Sequence, residues 1–179
     1  MAGMLISEKT AIALENLMGM FFQANRILDR MSSQLSVKFV MPNTSEIVHK
    51  QFAHVMPLIG DKISEYCDDR NYAVSYPETT RDYTEYNNLS DMFNKILDYM
   101  IDIEGTVIEC VDIAEDENDL MTKHFLEKFL YEEVRPYTKL AQNFVDYVQK
   151  NGDEPIRHMS MDSRINRFLG IESKNEDDD

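Results

Sequence analysis

Glu46-Ile47-Val48-His49 is the stretch of this sequence whose residue types and spacing match metal chemistry most directly. A Glu and a His three residues apart on a helix are surface neighbours. Together they offer a carboxylate oxygen and an imidazole nitrogen to one cation. Asp29 and either Asp91 or Asp146 are expected at a similar height and could complete such a set. The structural alternative is that His49 finishes a buried stripe while Glu46 helps to start its helix. Glu132 and Glu133 form a second candidate, because Glu133 falls on an otherwise apolar stripe. His54 lies off the stripe and adds no ligand. Cys67 and Cys110 lack the paired spacing of a thiolate metal site and are expected to be reduced core thiols of an intracellular protein.

These residues sit in a chain of 179 residues with a net charge of −15. That charge repels nucleic acid and anionic membranes, and neither is expected as a partner. It suits attraction of cations, although solubility alone accounts for an acidic surface. Hydrophobic residues make up 43%, Trp is absent and there are 12 Met, a composition that favours an all-α protein with an adaptable interior. The start, MAGMLISEK, reaches a charge too early for a signal peptide, and no apolar run can span a bilayer. A cytoplasmic protein is expected.

Four long amphipathic helices must position the candidates. The first runs from about Ser7 to Leu35, with the stripe Leu14, Leu17/Met18, Phe21, Leu28 and Leu35. Asn43 with Glu46 resembles a capping box opening the second, whose stripe is His49, Phe52, Met56, Ile59, Ile63 and Tyr66. Pro57 removes the donor to the Ala53 carbonyl, which predicts a kink. Ser90 is placed as the cap of the third helix, with the stripe Phe93, Ile96, Met100, Ile103, Val107 and Val111. The fourth begins near Asp119 and carries Leu126, Leu130, Glu133, Tyr137, Leu140 and Phe144. A short fifth helix is expected over Met161 to Leu169, and the acidic tail 172–179 is expected to be solvated.

Between the second and third helices, Tyr72 to Asn87 has no helical period. Fully extended, these residues reach roughly 50 Å at ~3.3 Å each. That exceeds the ~39 Å length of a 26-residue helix. The chain can therefore return to the other end of the bundle, making the second and third helices parallel. The expected fold is an all-α four-helix bundle with one long crossover, occupying residues 1–171 with its fifth helix.

Several segments carry a family resemblance. Ile6-Ser7-Glu8-Lys9 with Ala13-Leu14 resembles the opening of a bacterial ferritin's first helix. Tyr66 to Arg70 is similar to the Y-x-x-x-R end of the second helix. Asp112-Ile113-Ala114-Glu115, Asp119, Phe125-Leu126 and Phe129 to Glu133 resemble the end of the third helix and the middle of the fourth. Met161 to Leu169 looks like the short last helix of shell-forming ferritins.

The resemblance implies a paired-iron oxidation site inside the bundle, built from a Glu, a Glu-x-x-His, a Glu and a Glu or Gln on successive helices. Carried over position by position, those ligands fall on Phe21, on Met56 and Ile59, on Met100, and on Glu133. The midpoints of the four helices, near residues 21, 57, 101 and 134, independently bring the same residues to one height. Glu46 lies ~16 Å along the axis from that height at ~1.5 Å per residue. The ferroxidase centre is thus expected to be lost, with Glu133, Glu132, Glu46 and His49 the remaining candidate metal ligands. If Glu133 is buried and unpaired, its carboxyl should titrate high.

Three readings follow. One is a shell-forming subunit that stores or templates iron or co-assembles with an active ferritin subunit. The second is an iron oxidase with a displaced site near the first interhelical turn. The third is a metal-free structural or packaging bundle, in which MDSRINRFLG could act as a docking peptide. The resemblance implies a homo-oligomer, possibly a 24-subunit cage, with iron as a possible cargo and no haem indicated.

Overall fold

A computed structural model describes residues 4–171 of the chain. The first bundle helix, α1, spans Glu8–Val37, and Ser7 caps it by accepting the Thr10 N–H at 3.1 Å. The second is built in three pieces: α2 (Pro42–Ile47), a π-helical turn (Val48–Ala53) and α3 (Val55–Asp69). The third is α4, Leu89–Asp116. The fourth again has three pieces: α5 (Leu120–Phe129), a π-helical turn (Leu130–Val134) and α6 (Arg135–Asn151).

The expected fifth helix consists of two short helices, α7 (Pro155–Asp162) and α8 (Ile165–Leu169). It starts earlier than its apolar pattern suggests because Pro155 suits a first helical position. The acidic tail lies outside the described residues, and no described helix is long and apolar enough to cross a membrane.

The crossover lies as extended chain along the outer ridge of α1. Glu15 accepts the Tyr72 hydroxyl at 2.9 Å and the Ser75 N–H at 2.6 Å. Gln23 accepts the Thr80 N–H at 2.8 Å and donates to the Thr80 carbonyl at 3.1 Å. Gln34 does the same between the Thr84 carbonyl (2.7 Å) and the Tyr86 N–H (3.0 Å). Side chains of one helix thus satisfy backbone groups that have no strand partner. Gly19 is required in this ridge, since a Cβ there would stand 2.9 Å from the Pro77 ring. The crossover therefore runs the length of α1 in the same direction. The second helix ends beside the start of α1, where Arg70 bonds to the Leu5 carbonyl. The third starts beside its end. Second and third helices are parallel, as the segment's length requires.

The capping residues differ from those expected. The second helix starts without a side-chain cap of its own. Instead, the Asp162 carboxylate reaches it from α7, accepting the Asn43 N–H at 3.1 Å, the Thr44 N–H at 2.7 Å and the Thr44 hydroxyl at 2.8 Å. Glu46 pairs with Lys50, not with the helix start. The third helix is capped by Asn88, whose side chain accepts the Asp91 N–H at 2.7 Å. Ser90 instead gives its N–H to Asp153, at 2.8 Å. Two carboxylates of the C-terminal segment thus meet the positive ends of two bundle helices.

At the opposite end, Arg70 and Asp119 form an ion pair at 3.1 Å. Tyr66 donates to Thr122 at 2.8 Å, and Thr122 donates in turn to Asp119 at 2.7 Å. The apolar residues of the four stripes pack into one continuous core. Cys67 and Cys110 are buried free thiols within it.

Candidate metal centre

Three close approaches tie the four helices together at mid-height. The Tyr99 hydroxyl of α4 donates to the Met20 carbonyl of α1 at 3.2 Å. A Cβ placed on Gly60 of α3 would lie 3.4 Å from Cβ of Phe21. The Phe21 ring meets Phe129 edge-on, with centroids 5.7 Å apart. Residues near 21, 60, 100 and 130 therefore share one level, the level deduced from the helix midpoints.

What fills that level is apolar. Phe21, Met56 and Met100 are fully buried, and Ile59 is 2% exposed. From the fourth helix the buried residues are Phe129 and Val134. The donor atoms available here are thioether sulfurs, which do not suit the oxygen-preferring ferrous and ferric ions. Among the described residues the buried carboxylate is Asp162 and the buried imidazole His158, both in the C-terminal segment at the end of the bundle. No three His, Cys, Asp or Glu side chains among the described residues are gathered to hold a metal ion.

Glu133 is not part of this interior. Its carboxylate lies 2.5 Å from Nζ of Lys62, and its side chain retains 24% exposure. Glu133 is thus neither fully buried nor unpaired. The cause is the π-helical turn at Leu130–Val134, which inserts extra backbone into the helical repeat and rotates Val134 inward in place of Glu133. Tyr137, one turn on, is partly buried, and burial is the main cause raising its phenol pKa. The nearby Glu133 charge adds to that shift and Lys62 opposes it.

The remaining candidates lie apart. Glu132 is exposed beside Lys128 at 3.7 Å. Glu46 is exposed and bonded to Lys50 at 2.5 Å, which holds its carboxyl below the ordinary range. His49 does not finish a buried stripe: its side chain is 44% exposed and Nδ1 lies 3.1 Å from Asp29. The π-helical turn Val48–Ala53 again explains the difference, since it breaks the 3.6-residue period on which the stripe was drawn.

That turn also resolves the demand made by Pro57. The Ala53 carbonyl, which loses its helical donor, accepts Nδ2 of Asn25 at 3.0 Å. Nothing in the sequence period marks Asn25 for this role; its signal is a polar residue next to the buried Ala24 on α1.

The sequence matches the ferritin-like domain over residues 13–146. The chain belongs to the ferritin-like family. Among curated proteins none matches it. Its fold is similar to that of the open pore ferritin from the hyperthermophilic archaeon Archaeoglobus fulgidus, with 18% identity and a TM-score of 0.81 over 89% of this chain and 97% of that one. An engineered closed form of the A. fulgidus ferritin gives 18% identity and a TM-score of 0.80 over 89% and 96% of the two chains. At this identity the likeness establishes the ferritin-like bundle and leaves the chemistry to the residues described above.

Proposed function

We propose that this ferritin-like chain is a shell-forming subunit without a complete di-iron ferroxidase centre, serving iron storage or mineral templating alone or beside an active subunit. The observation that carries this reading is that four of the five positions aligned with the family's ligands are filled at mid-height by buried apolar side chains: Phe21, Met56, Ile59 and Met100. Leaving several carboxylates in that interior without metal would be costly, so the substitutions suit a bundle that works without the metal pair. The family's ligand at the fourth helix survives as Glu133, but it is engaged by Lys62.

In this reading iron is cargo held by acidic surfaces. The assembly is a cytoplasmic homo-oligomeric cage of up to 24 subunits, residues 1–171 form its unit, and 172–179 are an acidic appendage. Of the set for a displaced oxidation site near the first interhelical turn, His49 and Asp29 meet at 3.1 Å, while Glu46 is paired with Lys50.

The experiment is to load the purified protein with ferrous salt in air, separate it by size and measure iron per subunit in the assembled fraction. Iron retained by a hollow assembly supports storage. An assembly that stays iron-free both alone and when mixed with an active ferritin subunit overturns it in favour of a metal-free scaffold.

A further inference from the structure

We propose that His49 and His54, oriented by Asp29, form a surface site for a divalent late transition metal of the copper, nickel or zinc class. The proposal is independent of the iron-storage reading.

The site is made by the π-helical turn. In an α-helix, residues five apart point roughly 140° away from each other around the axis. Here the His54 N–H bonds to the His49 carbonyl at 3.1 Å, the i to i+5 pattern of a π-turn. The two histidines are thereby brought onto one face, with ring centroids 4.1 Å apart and planes at 60°. Two imidazoles bound side by side to one ion, each at about 2.0–2.1 Å from nitrogen to metal, have centres roughly 4–5 Å apart. The observed spacing lies in that range.

The third member sets the chemistry of the first. The Asp29 carboxylate can only accept, so His49 presents Nδ1–H to it across 3.1 Å. The proton is then on Nδ1, and the lone pair on Nε2 is left for a metal. A carboxylate hydrogen-bonded to the far nitrogen of a ligating histidine fixes its tautomer and raises its basicity. Both rings are accessible, His49 at 44% side-chain exposure and His54 exposed. Water can complete the coordination shell. Two imidazoles without inward carboxylates favour the late, nitrogen-preferring ions over iron, and copper(II) should bind tightest in the series.

The test is titration of the assembled protein with copper(II) alone in a non-coordinating buffer, followed by calorimetry and electron paramagnetic resonance. One ion per subunit showing coupling to two imidazole nitrogens is expected. His49→Ala and His54→Ala should each weaken binding at least tenfold and remove one nitrogen coupling. Asp29→Asn should weaken it about tenfold while keeping both couplings. His124→Ala should change nothing. Circular dichroism of each variant confirms that the bundle is intact. Undiminished affinity and an unchanged spectrum in the His49→Ala/His54→Ala double variant would overturn the assignment, as would binding that shows no nitrogen coupling in the wild type.

Discussion

Glu133 on the fourth bundle helix points its carboxylate at Lys62 on the second, 2.5 Å away, while its neighbour Val134 occupies the interior. The carboxylate that the helical period assigns to the core therefore sits at its edge. Lys62 keeps 47% of its side-chain exposure, so solvent screens the pair. Glu133→Gln is expected to cost about 0–1 kcal/mol. A chain of this size should then melt no more than about 4 °C lower. Calorimetry checks this, and a loss several times larger would return Glu133 to the core.

Phe21 is fully buried and packs against Phe129. Phe21→Glu puts one carboxylate where no cation or donor waits for it. The variant is expected to lose about 3 kcal/mol or more. That corresponds to a melting temperature lower by about 6 °C or more. An unchanged melting temperature would contradict the packing of the interior described above.

Asn25 and Pro57 are linked through the Ala53 carbonyl. Asn25→Ala leaves that carbonyl short of a donor and should cost about 1–3 kcal/mol. In a Pro57→Ala background the helix regains an N–H for it, and the cost of Asn25→Ala should shrink. A double-mutant cycle by denaturant unfolding measures the difference. Strict additivity would show that the two residues act separately.

The thiols define an alkaline limit. Burial pushes Cys67 up to about 11 and Cys110 up to about 12. Folding thus favours the neutral thiol. The associated stability is complete below the unfolded thiol pKa, about 8.5. It is lost as pH rises from there through the folded values. Melting temperature should fall progressively above that point. Both thiols should also resist alkylation at pH 8 until the protein is denatured. Rapid labelling of the native protein would contradict their burial.

The four helices, their parallel middle pair and the apolar character of Phe21, Met56, Ile59 and Met100 were legible because each follows a regular period or a chain-length requirement. Glu133 and His49 leave the stripes for one shared reason. Each lies in a π-helical turn that shifts the phase of its helix, and no 3.6-residue stripe registers such a shift. Pro57 and Pro136 stand just beyond those turns and were the available signals. The Asp162 cap on the second helix joins residues 118 or 119 positions apart in the chain, a separation at which local capping patterns carry no information. The ridge Glu15, Gly19, Gln23 and Gln34 on α1 was open to detection as a non-apolar face at helical spacing, opposite a segment rich in unpaired backbone groups.

Stopped-flow oxidation of ferrous iron by the purified assembly tests the absence of a working di-iron centre most directly. With Phe21, Met56, Ile59 and Met100 filling the interior at mid-height, the rate should not exceed that of iron in buffer alone at any iron-to-protein ratio. A fast oxidation burst that saturates at two irons per subunit would contradict the account.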